Sequence, residues 1–255
     1  MARYLAHHAR TLAVATLARR LVAIRRAHSL EGLSDPTASA LVRQTFRGLR
    51  RAYGRPQRRV AALTTEDLMT IVSSLGTSTK DVRDRALLLV GFAGAFRRSE
   101  LSAAVCTSVE WTARGIIVSL PKSKTDQEWR GRRVGIPYAQ GPLCPVTALA
   151  TWLTVSGIAD GPVFRPVTKG GHVLACRLSG DAIVAIVKQR TAAIGRDPAF
   201  YSGHSLRAGF ATSAAVAGVP VWRIKAQTGH ASDAVLSGYV RNHDLFAGNA
   251  AGQIL

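Results

Sequence analysis

Acidic side chains are scarce in this chain. Asp and Glu together number 15 against 34 Lys and Arg, which gives a formal net charge of +19 at pH 7. Most of the basic excess is arginine, whose planar guanidinium can donate two parallel hydrogen bonds to a phosphate. A chain this basic is expected to bind a polyanion, most simply nucleic acid. Charge by itself fits a ribosome-associated or merely soluble basic protein equally well.

Cysteines and long apolar runs are also scarce. Cys106, Cys144 and Cys176 are widely separated and form no CxxC pair, which argues against a disulfide framework or a zinc knuckle and predicts reduced thiols in a cytoplasmic protein. The apolar run at residues 86–96 is too short to cross a bilayer, which needs about 20 residues. Arginines and histidines interrupt residues 1–20, unlike the apolar region of a signal peptide. We therefore expect a cytoplasmic location and no membrane partner.

Hydrophobic periodicity predicts a mainly α fold with a small antiparallel β-sheet (α+β). Apolar residues at helical spacing indicate two or three helices up to Tyr53, with a helix start at Asp35-Pro36. A further helix begins at Thr64, where a hydroxyl can cap the helix and acidic residues follow. Two strands at residues 115–120 and 133–136 indicate a β-hairpin with a long polar turn. The remaining predicted helices lie at residues 81–95, 145–156, 179–194, 204–217, 220–227 and 232–240.

A basic stretch containing Gly and Pro separates two predicted domains. Residues 1–55 form the first domain, residues 56–62 a linker, and residues 63–255 the second. Arg55, Arg58 and Arg59 could bind a DNA backbone, or the stretch could be a solvated hinge.

Four separated segments carry the residues that could take part in a chemical reaction. They read Ala95-Phe96-Arg97-Arg98-Ser99-Glu100-Leu101, Lys122-Ser123-Lys124-Thr125, His204-Ser205-Leu206-Arg207, and Gly229-His230 followed by Tyr239 nine residues later. Taken singly, each has an ordinary structural explanation as a helix cap, a surface charge or a packing residue. Taken together, they indicate a pocket that binds one phosphodiester and offers it a phenol as nucleophile.

This set resembles the tyrosine recombinase (phage integrase) family. Arg97 stands in a segment similar to the family's first box, Gly-Leu-Arg-x-Ser-Glu-Leu. The His204 to Arg207 segment matches its His-x-x-Arg box, and Thr228-Gly229-His230 is similar to its Leu-Gly-His. The resemblance covers roughly residues 60–245, and four boxes in order are far more specific than any one of them. It implies a tyrosine recombinase-like catalytic domain preceded by a partial helical core-binding domain that clamps DNA.

The resemblance implies a role for each residue. Arg97 and Arg207 would hold the negative charge that builds on the phosphate oxygens. Tyr239 would be the nucleophile, and it needs a base because a free phenol has a pKa of about 10. His204 would be that base or a proton shuttle, and His230 would donate a hydrogen bond to the phosphate.

Lysine would complete the site as the general acid that protonates the departing 5′-hydroxyl. The Lys-Thr dipeptide favours Lys124, and Lys122 competes for the role or contacts DNA. Glu100 would support the site by holding an arginine, or would simply favour a helix N-terminus. The family's 3′-phosphotyrosyl intermediate implies that neither a metal nor ATP is needed as a cofactor.

The family further implies double-stranded DNA as the partner and a homotetramer acting on two DNA sites. The N-terminal part is shorter than the family's core-binding domain, which favours a chain that begins inside that domain. Site-specific recombination or integration is the leading interpretation. A type IB topoisomerase-like nicking-closing enzyme and a truncated DNA-binding relic without recombination activity are the alternatives.

Overall fold

The computed structural model describes residues 1–55, 60–120 and 131–229. The chain divides into two compact units, Met1–Arg58 and Arg59–Leu255. In its described residues the first unit has three helices, in agreement with the two or three predicted: α1 (Ala2–His8), α2 (Val14–Leu30) and α3 (Ala40–Tyr53).

A small apolar cluster holds the first unit together. Val42, Phe46 and Leu49 recur at helical spacing on α3 and pack with the buried side chains of Leu5 and Leu17. The remaining face of α3 carries exposed arginines, so this helix is strongly amphipathic.

The helix start predicted at Asp35-Pro36 is wrong. A carboxylate oxygen of Asp35 accepts hydrogen bonds from the N–H of Thr37 at 2.8 Å and from its hydroxyl at 2.6 Å, which closes a local turn. The helix begins at Ala40 instead, where Ser39 Oγ accepts a hydrogen bond from the N–H of Val42.

The second unit is mostly helical, with a small sheet. Its helices are α4 (Thr65–Ser74), α5 (Thr79–Ala93), α6 (Arg98–Ala103), α7 (Pro145–Ser156), α8 (Gly180–Ala193), α9 (Ser205–Val216) and α10 (Val221–Thr228). Thr64 caps α4 as the acidic residues after it predict, through a reciprocal pair of hydrogen bonds with Asp67. Apart from the short α6, the described helices of this unit match the predicted ones to within about two residues. The predicted helix at residues 232–240 lies outside the described residues.

Within the described part of the chain, the sheet has three strands rather than the two predicted. Strands β1 (Val109–Thr112), β2 (Gly115–Leu120) and β3 (Arg132–Pro137) pair antiparallel in the order β1-β2-β3. The predicted hairpin is therefore present as β2 and β3. The extra strand β1 has only four residues and none of them is buried, so its alternation of apolar and polar residues is too short to mark a strand.

The core of the second unit lies around α5. This helix packs against α7 and α9, and the core includes the fully buried Trp152, whose indole N–H donates to the carbonyl of Val163 at 2.8 Å. The approach of α9 to residues before α4 requires a glycine at position 209, because a Cβ there would lie 1.7 Å from the carbonyl oxygen of Leu63. Among the helices that the structure describes, none is both long and apolar enough to cross a bilayer.

A buried ion network joins α5 to α8. Asp84, which is 1% exposed, pairs with Arg83 at 2.7 Å and with Arg190 at 2.6 Å, and Arg190 also pairs with Asp81 at 2.7 Å. Removing one partner from such a network leaves the other charges buried without compensation.

We expect Asp84→Asn to lower the free energy of unfolding by about 3–5 kcal/mol. Glu110→Gln is the matched control, because Glu110 pairs with Arg133 on an exposed surface and should cost less than about 1 kcal/mol. Urea unfolding followed by tryptophan fluorescence measures both, since every tryptophan of the chain lies in the second unit. A loss for Asp84→Asn no larger than that of the control would contradict the prediction.

Candidate active site

Arg97 is fixed at the first turn of α6 by Glu100. The N–H of Arg97 donates to one carboxylate oxygen of Glu100 at 2.8 Å, and its guanidinium donates to the other at 2.6 Å. The Glu100 side chain is 6% exposed, whereas that of Arg97 is 27% exposed. Glu100 thus performs both roles that the sequence leaves open, since it caps the helix start and orients the arginine. The guanidinium keeps a face toward solvent, where a ligand can reach it.

Arg207 is joined to the same segment through a strained residue. Its guanidinium is buried and donates to the carbonyl oxygen of Ala95 at 2.9 Å. Ala95 has φ = +48°, a left-handed conformation that costs a residue with a Cβ about 1–2 kcal/mol. The family's first box reads Gly at this position, which is the residue that adopts such a conformation most readily. The backbone at Ala95 therefore aims a carbonyl at Arg207 despite the cost.

Two glycines let α5 and α6 approach the segment around His204. A Cβ at Gly91 would lie 2.9 Å from the Leu206 side chain, and a Cβ at Gly203 would lie 3.1 Å from the carbon stem of Arg98. The arginine stem passes over Gly203 and its guanidinium pairs with Asp181 at 3.0 Å. The start of α9 is thereby held close to the residues of the first box.

His204 precedes α9 with its ring accessible to solvent. The partial burial of its ring lowers the pKa of His204, and the positive charges of Arg207 and Arg97 lower it further. The lowered pKa favours the neutral imidazole at pH 7, the form that accepts a proton. The structure thus brings together three of the six predicted catalytic residues: Arg97, His204 and Arg207.

The other predicted positions are divided between the described and undescribed parts of the chain. Arg55 is described and exposed. The remaining ones lie outside the described residues: Lys122, Lys124, His230, Tyr239, Arg58 and Arg59.

The comparison with known families decides the class of this site. The model of the phage integrase family matches residues 61–245. The chain belongs to the phage integrase family. It is therefore a tyrosine recombinase, an enzyme that transfers DNA strands.

Relatives in the family cover nearly all of the chain. The integrase/recombinase XerD homolog of Selenomonas ruminantium is 36% identical in an alignment of 244 residues that covers 94% of this chain and 72% of that protein. The recombinase Cre of Escherichia phage P1 is 26% identical over 260 residues, covering 94% of this chain and 74% of Cre.

Solved structures confirm the predicted fold class. The Tn1549 transposon integrase in complex with a circular intermediate DNA has a TM-score of 0.64 at 15% identity, covering 100% of this chain and 83% of that one. The XerA recombinase has a TM-score of 0.57 at 18% identity, covering 95% and 83%.

Arg132 also belongs to this site, although the sequence analysis did not identify it. Its guanidinium donates to Glu100 at 3.3 Å and to the carbonyl oxygen of Gln227 at 2.7 Å. A signal was available, because Arg132 shares a face of β3 with the buried Val134 and Ile136. A cation on the buried face of a strand needs an anionic partner, and this one shares Glu100 with Arg97.

A basic face on α3 was missed in the same way. Four exposed arginines line this helix beside its apolar stripe: Arg43, Arg47, Arg50 and Arg51. Their helical spacing was the available signal, since it places them together on one side.

We expect the imidazole of His204 to titrate with a pKa below 6.5, because burial and two nearby arginines disfavour its charged form. Arg97→Gln should raise this pKa toward 6.5 by removing one of the charges. NMR titration of the histidine ring protons, with the His204 signal identified by its loss in His204→Asn, measures the shift.

Arg133→Gln is the matched control for this titration, since it also removes one positive charge but from an exposed pair with Glu110. It should leave the pKa of His204 unchanged. A pKa at or above 6.5 in the unmodified protein, or equal shifts in the two variants, would contradict the electrostatic account.

Proposed function

We propose that this chain is a site-specific recombinase or integrase that breaks and rejoins double-stranded DNA through a 3′-phosphotyrosyl intermediate. The observation that supports this function most directly is the cluster of Arg97, Arg207 and His204, in which the lowered pKa of His204 favours its neutral form. Two fixed cations beside a proton acceptor suit the attack of a hydroxyl on a phosphodiester.

Arg97 and Arg207 hold the two non-bridging oxygens of the scissile phosphate. Negative charge grows on these oxygens as the nucleophile attacks, and guanidinium groups fixed before the reaction stabilise it without reorganisation. Arg207 is fixed by the carbonyl of Ala95 and Arg97 by Glu100. Removing a donor of this kind costs about 10²–10³-fold in rate.

Tyr239 supplies the attacking oxygen. Its phenol oxygen forms a bond to phosphorus while the bond to the 5′ oxygen breaks, and the phenol proton passes to His204. Lys124 gives a proton to the departing 5′ oxygen, with Lys122 as the competing candidate, and His230 donates a hydrogen bond to the phosphate. The strand is left with a free 5′-hydroxyl and a 3′-phosphotyrosyl link.

The second half of the reaction reverses the first on a new strand. A 5′-hydroxyl from the partner duplex attacks the phosphotyrosine and gives its proton to the deprotonated Lys124. The bond between phosphorus and the Tyr239 oxygen breaks, and that oxygen takes back its proton from His204. One phosphodiester is made for each one broken, so the bond energy is conserved.

A homotetramer is the assembly this chemistry favours. Exchange between two duplexes cuts four strands, and each cut requires one tyrosine. Four identical chains supply them, one to each strand. The location expected for such an enzyme is the cytoplasm.

The first unit contributes DNA backbone contacts in this proposal. The exposed arginines of α3 present guanidinium groups at helical spacing, and such contacts give binding that weakens steeply with salt. The other proposed contacts are Arg55, Arg58, Arg59 and Lys122. Residues 1–55 would act as the DNA-clamping domain, residues 56–62 as a basic linker, and residues 63–255 as the catalytic domain.

We expect Tyr239→Phe to abolish covalent attachment to DNA while leaving DNA affinity unchanged, because it removes the nucleophilic oxygen and no charge. The matched control is Tyr138→Phe, since Tyr138 is 52% exposed and lies outside the four segments that carry the predicted site. Protein-linked DNA recovered after denaturation of expressing cells, with sequencing of the junctions, measures attachment.

The junctions separate the alternatives. Attachment at clustered sites with recombinant products supports the proposal, and the recombinases and integrases among the relatives favour this outcome. Attachment scattered along DNA without recombinants would indicate the topoisomerase-like activity. Salt-sensitive binding without attachment would indicate the DNA-binding relic, and adducts from Tyr239→Phe would reject Tyr239 as the nucleophile.

A further inference from the structure

One buried carboxylate lies between two guanidinium groups in this site. Glu100 pairs with Arg97 at 2.6 Å and with Arg132 at 3.3 Å, and its side chain is 6% exposed. The two arginines therefore compete for the same carboxylate. Arg132 donates a hydrogen bond to one carboxylate oxygen of Glu100, so Arg97 shares this carboxylate with Arg132. Because Glu100 interacts with both arginines, it competes less strongly with a phosphate for the guanidinium of Arg97.

The second amino group of the Arg132 guanidinium binds the last turn of α10. Its guanidinium donates to the carbonyl of Gln227 at 2.7 Å and packs against Gly229, where a Cβ would lie 2.9 Å from Nη1. Gly229 has φ = +64° and ends α10. A residue with a side chain at this position would be strained and would also displace the guanidinium. His230 is the next residue in the chain.

Gln227 completes the attachment from the opposite direction. Its side-chain amide donates to the carbonyl of Ala93 at the end of α5, at 2.8 Å, and to the carbonyl of Gly135 on β3, at 3.1 Å. Arg132 on β3 reaches α10, and Gln227 on α10 reaches back to β3. The last turn of α10 is therefore bound to the strand and to the helix that leads into the first box.

We infer that Arg132 is a positioning residue that aligns Arg97 with the point from which the chain continues to His230 and Tyr239. This inference rests on the proposed function, since it assigns a role in the same cleavage step. Arg132 touches the support of Arg97 and the end of α10, and it follows Lys124 by eight residues in the chain. A single guanidinium thus connects the support of Arg97 to the last turn of α10, from which the chain continues to His230 and Tyr239. Arg132 acts through Glu100 and Gln227 and makes no contact with the reacting atoms in this account.

The physical consequence of losing Arg132 is a change in geometry more than in charge. Glu100 would pair with Arg97 alone and draw its guanidinium toward the protein interior. The carbonyl of Gln227 would lose its charged donor, and the end of α10 would be free to shift. Displacement of a reacting group by about 1 Å can cost about 10²-fold in rate.

Arg132→Gln tests the inference against Arg133→Gln, the neighbouring residue on β3. Both variants lose one positive charge, but the Arg133 side chain is 64% exposed and pairs with Glu110. The substrate is a nicked duplex carrying the captured target sequence, on which covalent attachment is irreversible. Single-turnover attachment rate, DNA affinity and thermal midpoint are measured for each full-length variant.

We expect Arg132→Gln to attach about 10²-fold more slowly than Arg133→Gln, with DNA affinity equal in the two variants. Arg132→Lys retains the positive charge, and it keeps the inference testable if Arg132→Gln does not fold. An ammonium lacks the fork that joins Glu100 to the Gln227 carbonyl, so Arg132→Lys should remain at least about tenfold slower than the unmodified protein.

Four results would overturn the inference. Equal attachment rates for Arg132→Gln and Arg133→Gln would show that the position has no special role. Full activity of Arg132→Lys would show that charge suffices without the bridging geometry. A loss explained entirely by weaker DNA binding would place Arg132 in binding instead. Absence of attachment by the unmodified protein would reject the proposed function itself, and the inference with it.

Discussion

The candidate site depends on the ion pairs that the buried carboxylate of Glu100 forms with two arginines. A site that binds a phosphodiester must keep several cations close together, and their mutual repulsion opposes that arrangement. Glu100 neutralises part of this repulsion between Arg97 and Arg132, while Arg207 is held by the carbonyl of Ala95. The excess positive charge that remains is what a phosphate would balance. Partial burial lowers the pKa of His204, and the positive charges of Arg207 and Arg97 lower it further, which favours its neutral form.

Long-range packing supplies the geometry that this carboxylate stabilises. Arg207 and Ala95 are 112 residues apart in the chain, and Arg132 reaches a carbonyl 95 residues away. Helix α5 connects these contacts, because it packs on α9, ends at the first box and accepts a hydrogen bond from Gln227 through Ala93. The strained backbone at Ala95 persists because this surrounding structure fixes it. The cost in stability is local, and the benefit is an arginine placed before any substrate binds.

The sequence predicted most of the described helices, and three of the residues predicted to be catalytic lie close together in the structure. Caps and periodicity are local signals, so Thr64 and Pro145 mark helix starts in both the prediction and the structure. Local signals also misled, since Asp35-Pro36 forms a turn that ends before α3. The strand pattern places Arg132 on the buried face of β3, but its partners could not be read from spacing, because tertiary packing brings Glu100 and Gln227 to it. The sharing of Glu100 between two arginines is likewise a property of the folded chain.

The measurement that tests the central claim most directly uses a target DNA whose scissile phosphate is replaced by a neutral methylphosphonate. If Arg97 serves to balance the charge of a non-bridging oxygen, Arg97→Gln should cleave normal DNA about 10²–10³-fold more slowly than the unmodified protein. On methylphosphonate DNA that difference should shrink to within about tenfold, because the charge that Arg97 balances is absent. An equally large loss on both substrates would contradict the account and show that Arg97 acts in folding or binding instead.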